Sequence, residues 1–302
     1  MNAKKITLIA VITLGAILVF VITYVGVQIY LTWDQMHDEA ERESEQIESP
    51  ESRDRNQETK TFLILGIDDE EGTIEGRSDV IMLKTVNFEN EEILSVSLPR
   101  DTRTRLAELE TKEKLGHAFA YGTNVAIETI EEFLDIPVDY YIALNFDAFI
   151  NFIDLIGGLR VDVEREMKVA GISLEPGKQT LNGEEALTYV RFRDDSEGTF
   201  GRRRRQQQVI SEIMDQSLDF RTATRIIEAL DIAGENIQHN IPFSNFTEYS
   251  QKLSSVTAEN YQSMFIISIP EIIDEIWYVK LSDKEQDYIR ETFLNRIENK
   301  HE

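Results

Sequence analysis

The side chains here with the chemistry to act on a substrate are arginines and aspartates; there is no cysteine. From Phe192 to Val209 the chain reads FRDDSEGTFGRRRRQQQV, with Arg202, Arg203, Arg204 and Arg205 consecutive. Arg191 and Arg193 lie just upstream in YVRFR, and Gln206, Gln207 and Gln208 follow. In a protein of net charge −25, six arginines within fifteen residues read as the answer to an anion. Guanidinium groups match phosphate oxygens in bidentate geometry and stay charged at any physiological pH. The plainer alternative is a solvated basic helix start paired with nearby Asp and Glu.

A second group of charges sits just beyond short apolar runs. Gly66-Ile67-Asp68 follows the first run, Arg77-Ser78-Asp79 precedes the second, and Pro99-Arg100-Asp101-Thr102 follows the third. If the runs are neighbouring strands, Asp68, Asp79, Arg77, Arg100 and Asp101 converge at one sheet edge, where α/β proteins commonly hold ligands. Two carboxylates without His or Cys nearby make a poor zinc site and a plausible magnesium site. Each Asp can equally cap a turn or pair with a neighbouring Arg.

The elements that must position these groups follow from periodicity. Thr61–Asp68 (TFLILGID), Val80–Val86 and Ile93–Leu98 read as buried strands, the last stopped by Pro99. A helix is expected from about Ala118 to Leu134, a strand at Val138–Leu144 and an amphipathic helix at Phe146–Ile156 that ends in Gly157-Gly158. Leu159–Val163 alternates as a strand, and a helix runs from about Glu184 to Phe192. The Arg/Gln segment continues as helix to about Leu218. Further helices are expected near 221–234, 244–254 and 283–299, with a late strand at Met264–Ile269. Strands interleaved with helices predict an α/β fold, a layered α-β-α domain with a central mixed sheet.

Residues 6–31 carry no charged side chain. As a helix they would span roughly 39 Å, enough to cross a bilayer. Lys4 and Lys5 precede the segment and Asp34, Asp38, Glu39 and Glu41 follow it, which places the N-terminus in the cytoplasm and the rest outside. The apolar stretch is long for a cleavable signal, and no small-x-small site follows Leu31. The expected organisation is a cytoplasmic tail (1–5), a single transmembrane anchor (6–31), an acidic tether (32–60) and an extracellular domain (61–302). The acidity argues against nucleic acid as a partner of the domain, and the lack of cysteine rules out a disulfide scaffold and a thiol nucleophile.

Taken in order, LGID, RSDVIML, SVSLPRDT, YYIALNFDAFINFIDLIGG, LNGEEALTYVRFR and FGRRRRQQQV resemble the LytR-CpsA-Psr family from about Phe62 to Met214. The resemblance implies an extracytoplasmic phosphotransferase. Such an enzyme moves an anionic glycopolymer, of wall teichoic acid or capsule type, from an undecaprenyl-pyrophosphate carrier to a peptidoglycan acceptor through a phosphodiester. It further implies Asp68 and Asp79 as ligands of Mg2+ (or Mn2+), and Arg77 and Arg100 beside the pyrophosphate. Asp101 would orient or deprotonate the attacking sugar hydroxyl. Arg191, Arg193, Arg202 and Arg205 would hold phosphate with Gln206 beside them, leaving Arg203 and Arg204 variable.

Two positions depart from the family pattern: Thr199 stands where an Asp is common, and His117 where an Asn is frequent. The helix around Phe146, Phe149, Phe152 and Ile153 is more apolar than one face requires. Its plain reading is a two-sided core helix, whereas the resemblance implies a wall for the polyprenyl tail. Two other functions fit the residues: a lipid-pyrophosphate phosphatase, with water replacing the sugar, and a non-catalytic regulator of the envelope.

Overall fold

A computed structural model describes residues 23–38, 58–68, 73–109, 111–169, 171–192, 201, 204, 205, 208, 209, 212, 213, 223–253 and 260–298. The chain opens with a helix, α1, at residues 23–36. Strands β1 (Thr59–Asp68), β2 (Arg77–Asn87), β3 (Glu92–Leu98), β4 (Arg103–Arg105) and β5 (Lys112–Lys114) follow. After a 3-10 helix at Leu115–Tyr121 come α2 (Thr123–Leu134), β6 (Tyr140–Asn145), α3 (Phe146–Leu155) and β7 (Leu159–Val163). Then come β8 (Met167–Val169), β9 (Ile172–Leu174), β10 (Gly177–Leu181) and α4 (Gly183–Arg191). The remainder is α5 (Ala223–Asn236), β11 (Ile237–His239), α6 (Phe243–Leu253), β12 (Tyr261–Ser263), β13 (Ser268–Ile273), β14 (Ile276–Leu281) and α7 (Asp283–Ile297).

Six strands form one mixed sheet in the order β11-β6-β1-β2-β3-β12. β1 is central, antiparallel to β2 and parallel to β6. In its FLIL run Phe62, Leu63 and Leu65 are buried and Ile64 is half-buried, so one face is less fully covered than the other. Leu63, Leu65 and Ile67 point to one face, where they pack with α2 (Ile127, Ile130) and α7 (Ile289, Phe293). Phe62 and Val86 lie in a different cluster with Trp33, Met36 and Ile241, and Tyr249 of α6 packs against it. A satellite core joins Ile153 of α3 and Tyr189 of α4 to the small strands β7 to β10. Local chemistry starts the helices: Asn182 and Glu185 form a reciprocal capping box on α4, and Asn145 and Ser282 cap α3 and α7.

The first three strands, the VDYYIAL strand and α3 fall where apolar periodicity places them. The helix expected over 118–134 divides, because Gly122 has φ 125° and separates the 3-10 turn from α2. The strand expected at Met264–Ile269 falls mostly on the link between β12 and β13, and only Ser268 and Ile269 belong to a strand. The hairpin β13–β14 turns through Asp274 and Glu275, both at positive φ without a glycine, so no turn signal marks it.

Residues 32–38, expected as the start of the tether, belong to the domain. Trp33 and Met36 are buried in the domain, and residues 32–38 are docked on it because two large apolar side chains there have a core to enter. Residues 1–22 and 39–57 lie outside the described residues, as do Arg193, Thr199, Arg202, Arg203, Gln206 and most of the helix expected to reach Leu218. Among the described residues no helix is long and apolar enough to cross a membrane.

Lys84 is an exception on the sheet. It pairs across to Phe62 and Ser95, and its ammonium lies 5.2 Å from the centre of the Tyr261 ring. Burial lowers its pKa from 10.5 to about 8. With the native-state value depressed, stability is fully present above pH 10.5 and is lost as pH falls through 8. Lys84→Met should therefore stabilise the protein at pH 7 by about 1 kcal/mol, discounted for partial exposure. Urea unfolding at pH 7 and above 10.5 checks this: the gain should vanish at the higher pH.

Candidate active site

One irregularity in the sheet assembles the site. The β1–β2 register runs Leu65 to Ile81 and Gly66 to Val80, then jumps to Ile67 opposite Ser78, which leaves Asp79 as the extra residue of a bulge. Gly66 is needed there, since a Cβ would sit 2.9 Å from Val80 Cβ. Beyond the bulge Asp68 faces Arg77 across the strands.

Arg100, at the turn after β3, donates from Nη1 to Asp79 Oδ1. Its Nε lies 3.8 Å from Asp101 Oδ2, and Lys114 Nζ approaches Asp101 Oδ1 at 2.8 Å. The turn is clamped from the 3-10 helix: Gly116 N donates to the Arg100 carbonyl at 2.8 Å, and Ser78 Oγ to the Gly116 carbonyl at 3.4 Å. From the opposite side, Arg191 at the end of α4 places Nη2 3.3 Å from Asp68 Oδ2. The Phe146 ring lies 4.7 Å beneath the Arg191 guanidinium.

The carboxyls of Asp68 and Asp79 therefore adjoin, flanked by Arg100 and Arg191. Burial pushes the Asp68 carboxyl above its ordinary range, Arg191 pulls it back, and the charge and hydrogen bond of Asp79 add to the rise. Arg100 is held firmly cationic: burial opposes its charge, but Asp79, Asp101 and Asp68 outweigh it.

Of the residues singled out on sequence, Asp68, Asp79, Arg77, Arg100, Asp101 and Arg191 meet at one sheet edge. Arg205 does not join them. It is fully buried, donating to Glu164 Oε1 at 2.9 Å and to the Phe192 carbonyl at 2.7 Å. Arg204 also reaches Glu164, at 3.1 Å, and the Tyr189 hydroxyl lies 3.1 Å from it. Burial opposes ionisation of Glu164, but its backbone amide and these donors outweigh that and hold the carboxyl below its usual range. His117 pairs with Glu113 at 3.1 Å, away from the carboxylate pair.

Phe149 and Phe152 pack against the satellite core and Ile153 is wholly buried within it. The apolar surface that adjoins Asp68 and Asp79 belongs to the sheet: Ile64, Val80, Met82, Ile142 and Leu144 are half-buried on the face opposite Leu63 and Leu65. Sequence reasoning missed these residues because alternation along a central strand does not say which face is fully covered. It missed Lys114 as well, whose role depends on the β4–β5 hairpin folding back to Asp101.

The LytR-CpsA-Psr family pattern matches residues 23–294. The chain belongs to this family. It is 34% identical over 290 residues to a polyisoprenyl-teichoic acid–peptidoglycan teichoic acid transferase, TagU, of Halalkalibacterium halodurans, covering 93% of this chain and 95% of that protein. The crystal structure of Bacillus subtilis TagU superposes with a TM-score of 0.62 at 29% identity, over 82% of this chain and 100% of that one. A structure of TagT bound to LI-WTA gives 0.64 at 27% identity, over 80% and 91%. The mixed α/β fold with its central mixed sheet is that of the family's solved members.

A Cβ on Gly116 would lie 2.7 Å from the Ser78 carbonyl oxygen and 3.0 Å from Arg100 Cβ. Gly116→Ala should thus destabilise by about 1–3 kcal/mol, read as a lower urea midpoint. An unchanged midpoint would show that the clamp on Arg100 yields freely.

Proposed function

We propose that this chain transfers an anionic glycopolymer, of wall teichoic acid or capsule type, from an undecaprenyl-pyrophosphate carrier to peptidoglycan. It does so outside the membrane to which its N-terminal segment anchors it. The observation that carries the reading is the carboxyl pair Asp68–Asp79, flanked by Arg100 and Arg191, at the end of a half-buried apolar strip on the sheet. A lipid pyrophosphate has this division: a dianionic head for cations and an isoprenoid chain for apolar surface. The relatives named as teichoic acid transferases support the same substrate class.

The donor set fits a hard divalent cation. Two adjoining carboxylates, that of Asp68 raised in pKa by burial and by the neighbouring Asp79, suit Mg2+ or Mn2+ completed by water and phosphate oxygen. When bound, that cation would neutralise charge on the pyrophosphate. Arg100 and Arg191 hold the phosphate oxygens, Arg77 stands beside them, and the family resemblance adds Arg193 and Arg202 as phosphate ligands. The acceptor hydroxyl oxygen attacks the glycan-linked phosphorus, the bridging P–O bond breaks, and polyprenyl monophosphate leaves with the electron pair. Asp101, gripped by Arg100 and Lys114, orients the attacking hydroxyl, whose proton passes to its carboxylate or to water. The apolar strip of Ile64, Val80, Met82 and Leu144, rather than α3, takes the first isoprene units.

Asp79→Ala should abolish divalent-cation dependence and lower transfer of labelled polymer to peptidoglycan by about 10²-fold or more, with the fold intact by circular dichroism. Full transfer would remove the metal assignment, and release of free polymer by the parent chain would favour a phosphatase. Arg202→Ala should weaken donor binding far more than Arg203→Ala; equal losses would overturn that division of the Arg run.

Cation affinity should also follow Asp68. The charged carboxylate is the ligand and its pKa is raised, so affinity is full above that raised value and falls as pH drops through it. Calorimetry in buffers of different ionisation enthalpy should show proton release on Mn2+ binding near the raised pKa. Proton-independent binding there would exclude Asp68 as a ligand.

A further inference from the structure

The apolar N-terminal segment ends at Leu31, yet α1 continues through that point without a break to residue 36. Tyr24, Val27 and Leu31, spaced to share one helix face, are exposed, while the Tyr30 ring beside them packs edge-on against Phe243 of the domain at 5.6 Å. Just beyond, the chain is bolted to the domain. Trp33 Nε1 donates to the Ile241 carbonyl at 3.0 Å, and its ring lies 4.1 Å from His239 and 6.2 Å from Phe243. Gln35 Nε2 donates to the Gly234 carbonyl at 3.1 Å.

His37 then bridges to His239 as a strand would, with Asp38 N donating to the His239 carbonyl at 2.8 Å. Asp38 Oδ2 accepts from the buried Tyr141 hydroxyl at 2.7 Å and from Thr123 at 3.3 Å, tying the segment to β6 and α2. Burial first, and His37 second, lower the pKa of His239 to about 4, so its ring stays neutral beneath Trp33.

We infer that α1 is a rigid mast, not the end of a flexible tether, and that the surface carrying Tyr24, Val27 and Leu31 meets the lipid bilayer. The occupant is a lipid surface because these residues are the last turns of the uncharged run that begins at Ile6. The consequence for the site is orientation. Trp33 and Met36 pack on the same sheet face as Phe62, and the apolar strip runs up that face from Phe62 to Asp68. Six residues of strand span roughly 20 Å. The mast thus aims the strip at the membrane and sets the carboxyl pair about that far above the docked segment. This deepens the proposed function and rests on it for the identity of the donor.

The test uses the full chain in phosphatidylglycerol–phosphatidylethanolamine vesicles. Ten Gly/Ser residues inserted between Leu31 and Thr32 release the mast, and the same insertion after Glu45 leaves it locked. Two donors are compared: a glycan on undecaprenyl pyrophosphate in the vesicle, and the same glycan on a water-soluble short-chain prenyl pyrophosphate. The first insertion should lower turnover of the membrane donor by about tenfold or more and leave the soluble donor unchanged; the second should alter neither. Equal behaviour of the two insertions would overturn the inference.

In the Trp277→Phe chain Trp33 is the one tryptophan left of two. Its emission should be blue-shifted and shielded from acrylamide; a solvent-quenched Trp33 would sink the mast whatever the activity. If the parent chain turns over neither donor while Trp33 is shielded, the proposed function fails and the docked helix stands.

Discussion

The site depends on a single misfit between two strands. Without the extra residue at Asp79, β2 would carry its alternation unbroken to the sheet edge, and Asp68 and Asp79 would not be neighbours. The bulge is tolerated because Gly66 lets the Val80 side chain come close where any Cβ would collide. Everything polar at the edge is arranged around the resulting pair of acids: Arg100 is turned in by the Pro99 corner, and Arg191 is delivered by the end of a helix whose start is set by a capping box. The carboxyls are pushed together against their own repulsion, and two arginines on separate elements hold that strain in check.

This balance also accounts for how the second tier of residues works. Asp101 is engaged with Arg100 and Lys114, and Tyr278 lies under both Lys114 and Arg103, with ammonium and guanidinium 5.8 and 5.6 Å from its ring centre. Val279 N donates to the Asp101 carbonyl at 2.9 Å, so the C-terminal hairpin holds the backbone of the Pro99–Thr102 corner. The last part of the chain, silent as sequence, is thereby a buttress for the charged turn.

Much of the fold is legible because apolar runs report burial. FLIL, VIML, ILSVSL and YYIAL become sheet strands for the reason their composition suggests. The convergence of Asp68, Asp79, Arg77, Arg100 and Asp101 is legible too, since each lies at or just beyond the end of an apolar run. What is not legible depends on contacts between distant segments. Arg205 looks like its neighbours in the run, and its burial follows only from Glu164 arriving on the loop after β7. Trp33 falls in the stretch expected as an acidic tether, and its burial follows only once the pocket formed by His239, Ile241 and Phe243 is in place. The small strands β4, β5, β8 and β9 are too short to carry a period of two.

The Arg205–Glu164 pair has a consequence for how such chains diverge. A guanidinium with no exposed surface that donates to the Glu164 carboxylate and the Phe192 carbonyl loses a buried ion pair when Glu164 is replaced, at about 3–5 kcal/mol. A change at Glu164 or Arg205 is therefore eased by a matching change at the other. A drifting lineage would cross that gap in a double step, with Tyr189 and Arg204 free to adjust around it. The interior arginine is a ratchet on sequence change, and its persistence among descendants would record packing history, not appetite for a substrate.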